Sequence, residues 1–81
     1  MILPGKHLKH DRALLGIGAE LLILLDEPRT ISELWERIRK KRDLAASPLS
    51  FDWFVLSLSL LYATTAISFD GIFVSRATND T

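Results

Sequence analysis

The chain has 81 residues, no cysteine, and ten basic against ten acidic residues, with 48% of positions hydrophobic. A length this small predicts one domain, which excludes a multidomain enzyme, and the missing thiols exclude disulfides and thiolate metal sites. Zero net charge excludes a global attraction to nucleic acid or anionic membrane, while the high apolar fraction in so small a body predicts exposed apolar surface, either scattered leucines or a patch that a partner covers.

In chain order, Met1-Ile2-Leu3 is apolar, and Pro4-Gly5 then interrupts regular structure. His7 and His10 are too few for a zinc site, which takes three or four ligands. Asp11 is placed to cap a first helix running from Arg12 to about Leu25, which Asp26-Glu27-Pro28 ends. Its core side is Leu14, Ile17, Leu21 and Leu25, and Gly16, Ala19 and Ile23 lie away from it. Two glycines inside a helix, Gly16 and Gly18, cost about 1 kcal/mol each relative to alanine, which suggests close packing. The apolar run Ala13–Leu25 lies too deep for a secretory signal, is interrupted by Glu20 and is shorter than a bilayer span, so a cytoplasmic location is expected.

Thr30 and Glu33 have the spacing of a capping box and start a second helix. Ile31, Leu34, Trp35 and Ile38 form its apolar stripe. Glu33 with Arg37, and Glu36 with Lys40, are i, i+4 pairs in the favourable order. The run Arg39-Lys40-Lys41-Arg42 sits at the C-terminal end, where the helix dipole favours cations. It is a solvated helix end, or a second, electrostatic contact for an acidic protein surface or a nucleic-acid backbone.

A linker over Asp43–Leu49 precedes a third helix, capped by Ser50 and running from Phe51 to about Thr64. At about 100° per residue, Phe51, Phe54, Val55, Leu58, Leu61 and Tyr62 share one side, taken as the core face. Trp53, Leu56 and Leu60 share the other. A surface helix should be polar there. Either the N-terminal segment, Ile2 and Leu3, folds over this second stripe, or a partner covers it.

Ala66–Phe69 and Ile72–Ser75 flank Asp70-Gly71, a strong hairpin signal. Pairing Phe69 with Ile72 would put Ile67, Phe69, Ile72 and Val74 on one face and turn Phe73 away from it, extending the exposed patch. Ala77–Thr81 is a polar tail.

The expected fold is therefore mainly α with a C-terminal β-hairpin, a winged-helix-like three-helix domain over residues 1–76, followed by the tail 77–81. A plain three-helix bundle with a stray hairpin is the alternative, but an unpacked hairpin is marginal. Winged helices commonly bind DNA through the third helix. Here Asp43 to Ser75 contains no Lys or Arg, and the third helix has no Arg, Asn or Gln to read a base edge. A linker of seven or eight residues also exceeds the roughly three or four of a DNA-reading helix-turn-helix. Nucleic acid is expected to bind only non-specifically, through the basic helix end, as in a small winged-helix regulator. Enzyme chemistry has no inventory: no thiol nucleophile, no glycine-rich phosphate loop, and carboxylates paired with bases on an exposed face.

Met1-Ile2-Leu3-Pro4 with Lys6-His7-Leu8, Leu14-Leu15-Gly16 with Gly18-Ala19, Glu33-Leu34-Trp35-Glu36-Arg37, and Ser50-Phe51-Asp52 through Leu61-Tyr62-Ala63 together resemble the small middle-component subunits of prokaryotic ABC-three-component systems. The resemblance reaches to about Val74. It implies a non-catalytic subunit working beside an SMC- or Rad50-like ATPase and an effector, in defence against phage or plasmids. It carries over no functional residue. The expected docking residues are Trp53, Leu56, Leu60 and Phe73, with Arg39, Lys40, Lys41 and Arg42 as the electrostatic contact. A homodimer joined through its apolar stripes is a third possibility. No cofactor and no membrane association are expected.

Overall fold

The computed structural model describes the backbone of residues 4–77 and the side chains from Arg12 to Ala77. The expected cover from Ile2 and Leu3, and the tail beyond Ala77, lie outside the described residues.

The first helix, α1, runs Pro4–Leu24, well ahead of the expected start at Arg12. Proline suits the first helical position, since the N–H it lacks has no intrahelical partner there anyway. Pro4 thus opens the helix that it was expected to precede, and His7 and His10 lie within that helix. Ile17, Leu21 and Leu25 enter the core as expected, while Leu15, Gly16, Ala19 and Ile23 are exposed.

Asp26-Glu27-Pro28 ends α1, and a strand that the sequence did not betray follows: β1, Arg29–Thr30. Arg29 is almost fully buried. Its Nε donates to Leu24 O at 2.7 Å, and its guanidinium bonds Asp26 at 2.8 Å. A cation thereby satisfies a carbonyl of the last helical turn, at the negative end of the dipole. Arg76 adds a second such contact, donating from Nε to Leu22 O at 2.8 Å.

Helix α2 spans Ile31–Leu44 with the expected capping box: Glu33 N donates to Thr30 Oγ1, and Thr30 N to Glu33 Oε1, each at 3.1 Å. With Glu33 so engaged, the i, i+4 pairs read from the sequence give way to others. Glu36 pairs with Arg39 at 2.8 Å, and Arg39 also approaches Asp43 at 3.6 Å. Because α2 continues through Leu44, the connection to the next helix is shorter than expected, Ala45 to Ser50, though still longer than a DNA-reading turn. Helix α3 covers Phe51–Ala63 and is capped by Ser50, whose Oγ accepts from Trp53 N.

Strands β2 (Ile67–Phe69) and β3 (Phe73–Arg76) form the hairpin, and β1 pairs with the other side of β3, giving the antiparallel order β1-β3-β2. The architecture is mainly helical and winged-helix-like, as expected, but the wing is three strands. The core is one cluster: Ile17 and Leu21 of α1 with Leu25 just past its end, Leu34 and Ile38 of α2, Phe54 and Leu61 of α3, with Ile67 and Val74 of the sheet closing one side.

A candidate docking groove between the third helix and the wing

The helical phase of α3 differs from the sequence reading. Phe54, Ser57 and Leu61 are buried, at i, i+3 and i+7. Ser57 is fully buried. Small size explains this. A Cβ on Gly18 would lie 3.3 Å from Leu61, so α1 and α3 approach closely there, and Ser57 shares the buried face of α3 with Leu61. Seating that face turns the bulky residues outward. Phe51, Val55 and Tyr62, expected in the core, are exposed, and Leu58 is half-buried.

These residues make one wall of an apolar groove of about 440 Å³, with Ser59 at its edge. Ile67, Phe69 and Val74 of the sheet form the opposite wall, and Ile31 at the start of α2 closes one end. Trp35 supports that end from beneath. Its ring meets Phe51 edge-on at 5.2 Å and Phe54 at 5.2 Å, and Phe51 and Phe54 are 5.7 Å apart. Such tilted and edge-to-face contacts suit aromatic quadrupoles and hold Phe51 in place while half of it faces solvent. Polar groups are scarce in the groove. Ser59 Oγ is already used, donating to Val55 O at 2.8 Å.

The wing turn sets where its aromatics point. Phe69 pairs with Val74, not with Ile72 as the two-residue turn required. Asp70 is the cause: one carboxylate oxygen accepts from the N–H groups of both Ile72 and Phe73, at 2.9 and 2.7 Å, drawing those residues into the turn. These backbone donors hold the Asp70 carboxyl below its usual range. Gly71 takes a φ of +101°, open to glycine at no steric cost. Ile72 therefore leaves the apolar face it was expected to join and is exposed at the turn. Phe73 is exposed as expected and lies opposite Thr30.

The docking residues singled out from the sequence, Trp53, Leu56, Leu60 and Phe73, do not line this groove. Leu56 and Phe73 are exposed, Trp53 and Leu60 are half-buried, and Trp53 leans on the core. The groove residues Phe51, Val55 and Tyr62 were assigned to the wrong side of the helix. Gly18 and Ser57, one small group on each helix, were the signal that could have set the phase.

The basic run is largely engaged within the chain. Arg42 pairs with Glu20 of α1 and donates to Ser47 Oγ at 3.1 Å, Lys41 lies 3.9 Å from Glu20, and Arg39 holds Glu36 and Asp43. Lys40 makes no ion pair among the described residues. No group of three or more potential metal ligands occurs among the described residues, and no helix of the described residues is long and apolar enough to cross a membrane.

Fold and surface together give a small, winged-helix-like domain with a strongly apolar groove between helix and wing. The chain belongs to the family of ABC-three component (ABC-3C) system Middle Component 6, whose model matches residues 3–72. No curated protein and no solved structure matches it. As the middle component of a multi-subunit system, it is an accessory part that has protein partners.

Proposed function

We propose that the chain is a non-catalytic subunit that docks through the α3–wing groove onto another subunit of its system, the SMC- or Rad50-like ATPase or the effector, in a complex acting against phage or plasmids. The observation that carries this is the exposure of Phe51, Val55, Tyr62 and Phe69 around one apolar depression. Flat aromatic and aliphatic surface of this kind is what interface anchors are made of. Leu56, Ile72 and Phe73 are further exposed apolar side chains outside the groove lining.

A winged-helix regulator contacting DNA through its basic helix end is the weaker reading. The α3 and wing segments carry no Lys or Arg between Asp43 and Ser75, and Arg39, Lys41 and Arg42 are held by carboxylates of the same chain. Cations already neutralised in this way have less to offer a phosphate backbone.

The test is co-purification of the whole system with Val55→Asp, against Leu44→Asp as the control at a residue 90% exposed and outside the groove. Both positions face solvent, so both variants should stay folded by circular dichroism. The expected result is loss of assembly with Val55→Asp alone. Assembly that tolerates Val55→Asp would sink the docking reading.

A further inference from the structure

Resting on that reading, three observations narrow what the groove takes. The first is its lack of hydrogen-bonding groups. Ser59 is committed to its own helix, and only the Tyr62 hydroxyl remains among the side chains of the walls. An extended segment would bury N–H and C=O groups without partners. Strand β2, at the free edge of the sheet, gives such a segment little to pair with, being three residues long with Ile67 already buried. A helix brings its backbone bonds with it.

The second is length. Phe51 and Tyr62 stand at opposite ends of the α3 wall, about 16 Å apart along the helix axis. That matches about three turns of a docked helix, with apolar anchors at i, i+4 and i+7.

The third is charge. Asp52 follows Phe51, and Asp70 follows Phe69 at the wing turn. Both are exposed, and no Lys or Arg occurs between Asp43 and Ser75 to offset them. The basic run Arg39–Arg42 lies about 12–17 Å from Ile31, toward the other end of α2.

From these we infer that the groove takes an amphipathic helix of a partner subunit, with its apolar stripe seated between α3 and the wing and with Lys or Arg on its flanks facing Asp52 and Asp70. Complementary charge of this kind fixes orientation and speeds association, and it is screened by salt.

The experiment places the photo-crosslinking residue p-benzoylphenylalanine at Tyr62 in the assembled system and identifies the captured segment by mass spectrometry. Affinity is measured in parallel for Asp52→Lys at low and high salt. The expected capture is one helical segment of a different subunit, apolar at i, i+4 and i+7 and flanked by Lys or Arg. Asp52→Lys should weaken binding on the order of ten-fold at low salt and clearly less at high salt. Capture of a second copy of this chain, of an acidic segment or of an extended one overturns the inference, as does Asp52→Lys without effect. No capture from Tyr62 in a system that still assembles overturns it too, while leaving the accessory role standing. If the unaltered subunits do not assemble, both readings fall.

Discussion

Three small residues carry much of the packing argument. Gly16 and Gly18 both lie inside α1, yet only Gly18 faces another helix. A methyl on Gly18 would press on Leu61 at 3.3 Å, whereas one on Gly16 meets nothing within 4 Å. Gly16→Ala should therefore raise stability by about 1 kcal/mol, the propensity difference between the two residues. Gly18→Ala should gain clearly less, because Leu61 must shift to make room. Equal gains in chemical denaturation would remove the close approach at Gly18 as the reason for α3's phase. Ser57 lies at the buried face, with its hydroxyl unpartnered among the described residues. An unmade hydrogen bond in a core costs about 1–3 kcal/mol. Ser57→Ala keeps the small size and removes the orphan, so it should stabilise the fold by about 1 kcal/mol; a loss of stability would mean that the hydroxyl is satisfied.

At the scale of elements, the N-caps of α2 and α3 are where sequence and structure agree best, while the start of α1 at Pro4 was missed. The Thr30–Glu33 box was legible because it depends on four consecutive residues and nothing else. Asp70-Gly71 was legible as a turn but not as a register, since the sequence does not show which backbone groups the Asp70 carboxylate will claim. β1 was illegible: two residues carry no period, and Arg29 and Thr30 pair with β3 only because the hairpin lies beside them. The exposed face of α3 was misread for a related reason. A helix apolar nearly all round gives no periodic signal for its phase, which α1 decides. Both α2 and α3 end in a Schellman arrangement, with Ser47 N donating to Arg42 O and Ala66 N to Leu61 O. The left-handed positions are occupied by Ala46 at φ 56° and Thr65 at φ 61°. A β-branched residue is poorly suited to that region. Thr65→Gly should raise stability by about 1 kcal/mol, visible as a higher Tm, and an unchanged or lower Tm would contradict the strain. Three exposed carboxyls, Asp26 beside Arg29, Glu33 in the Thr30 box and Asp70 in the wing turn, are held below their ordinary range. A depressed folded value means that the unfolded chain takes up protons first as pH falls. Their contribution is therefore present above about pH 4 and is lost as pH drops below it, through the folded values. An acid titration of Tm should show a decline in that window, shallower in Asp70→Asn, which keeps an acceptor without the charge.

At the scale of the whole molecule, one packing decision links fold to surface. Seating α3 on α1 through Gly18 and Leu61 leaves Phe51, Val55 and Tyr62 beside the wing, and β1 ties that wing to the start of α2 through Thr30 and Phe73. The exposed apolar surface was anticipated from composition; its location was not, because that depends on tertiary contacts between residues far apart in sequence. Hydroxyl-radical footprinting of Tyr62 and Phe69, free and within the assembled ABC-three-component complex, asks directly whether a partner covers the groove. Strong protection of both rings is expected on assembly, with exposed Leu44 reacting as before. Undiminished reactivity of Tyr62 and Phe69 in the intact complex would contradict it.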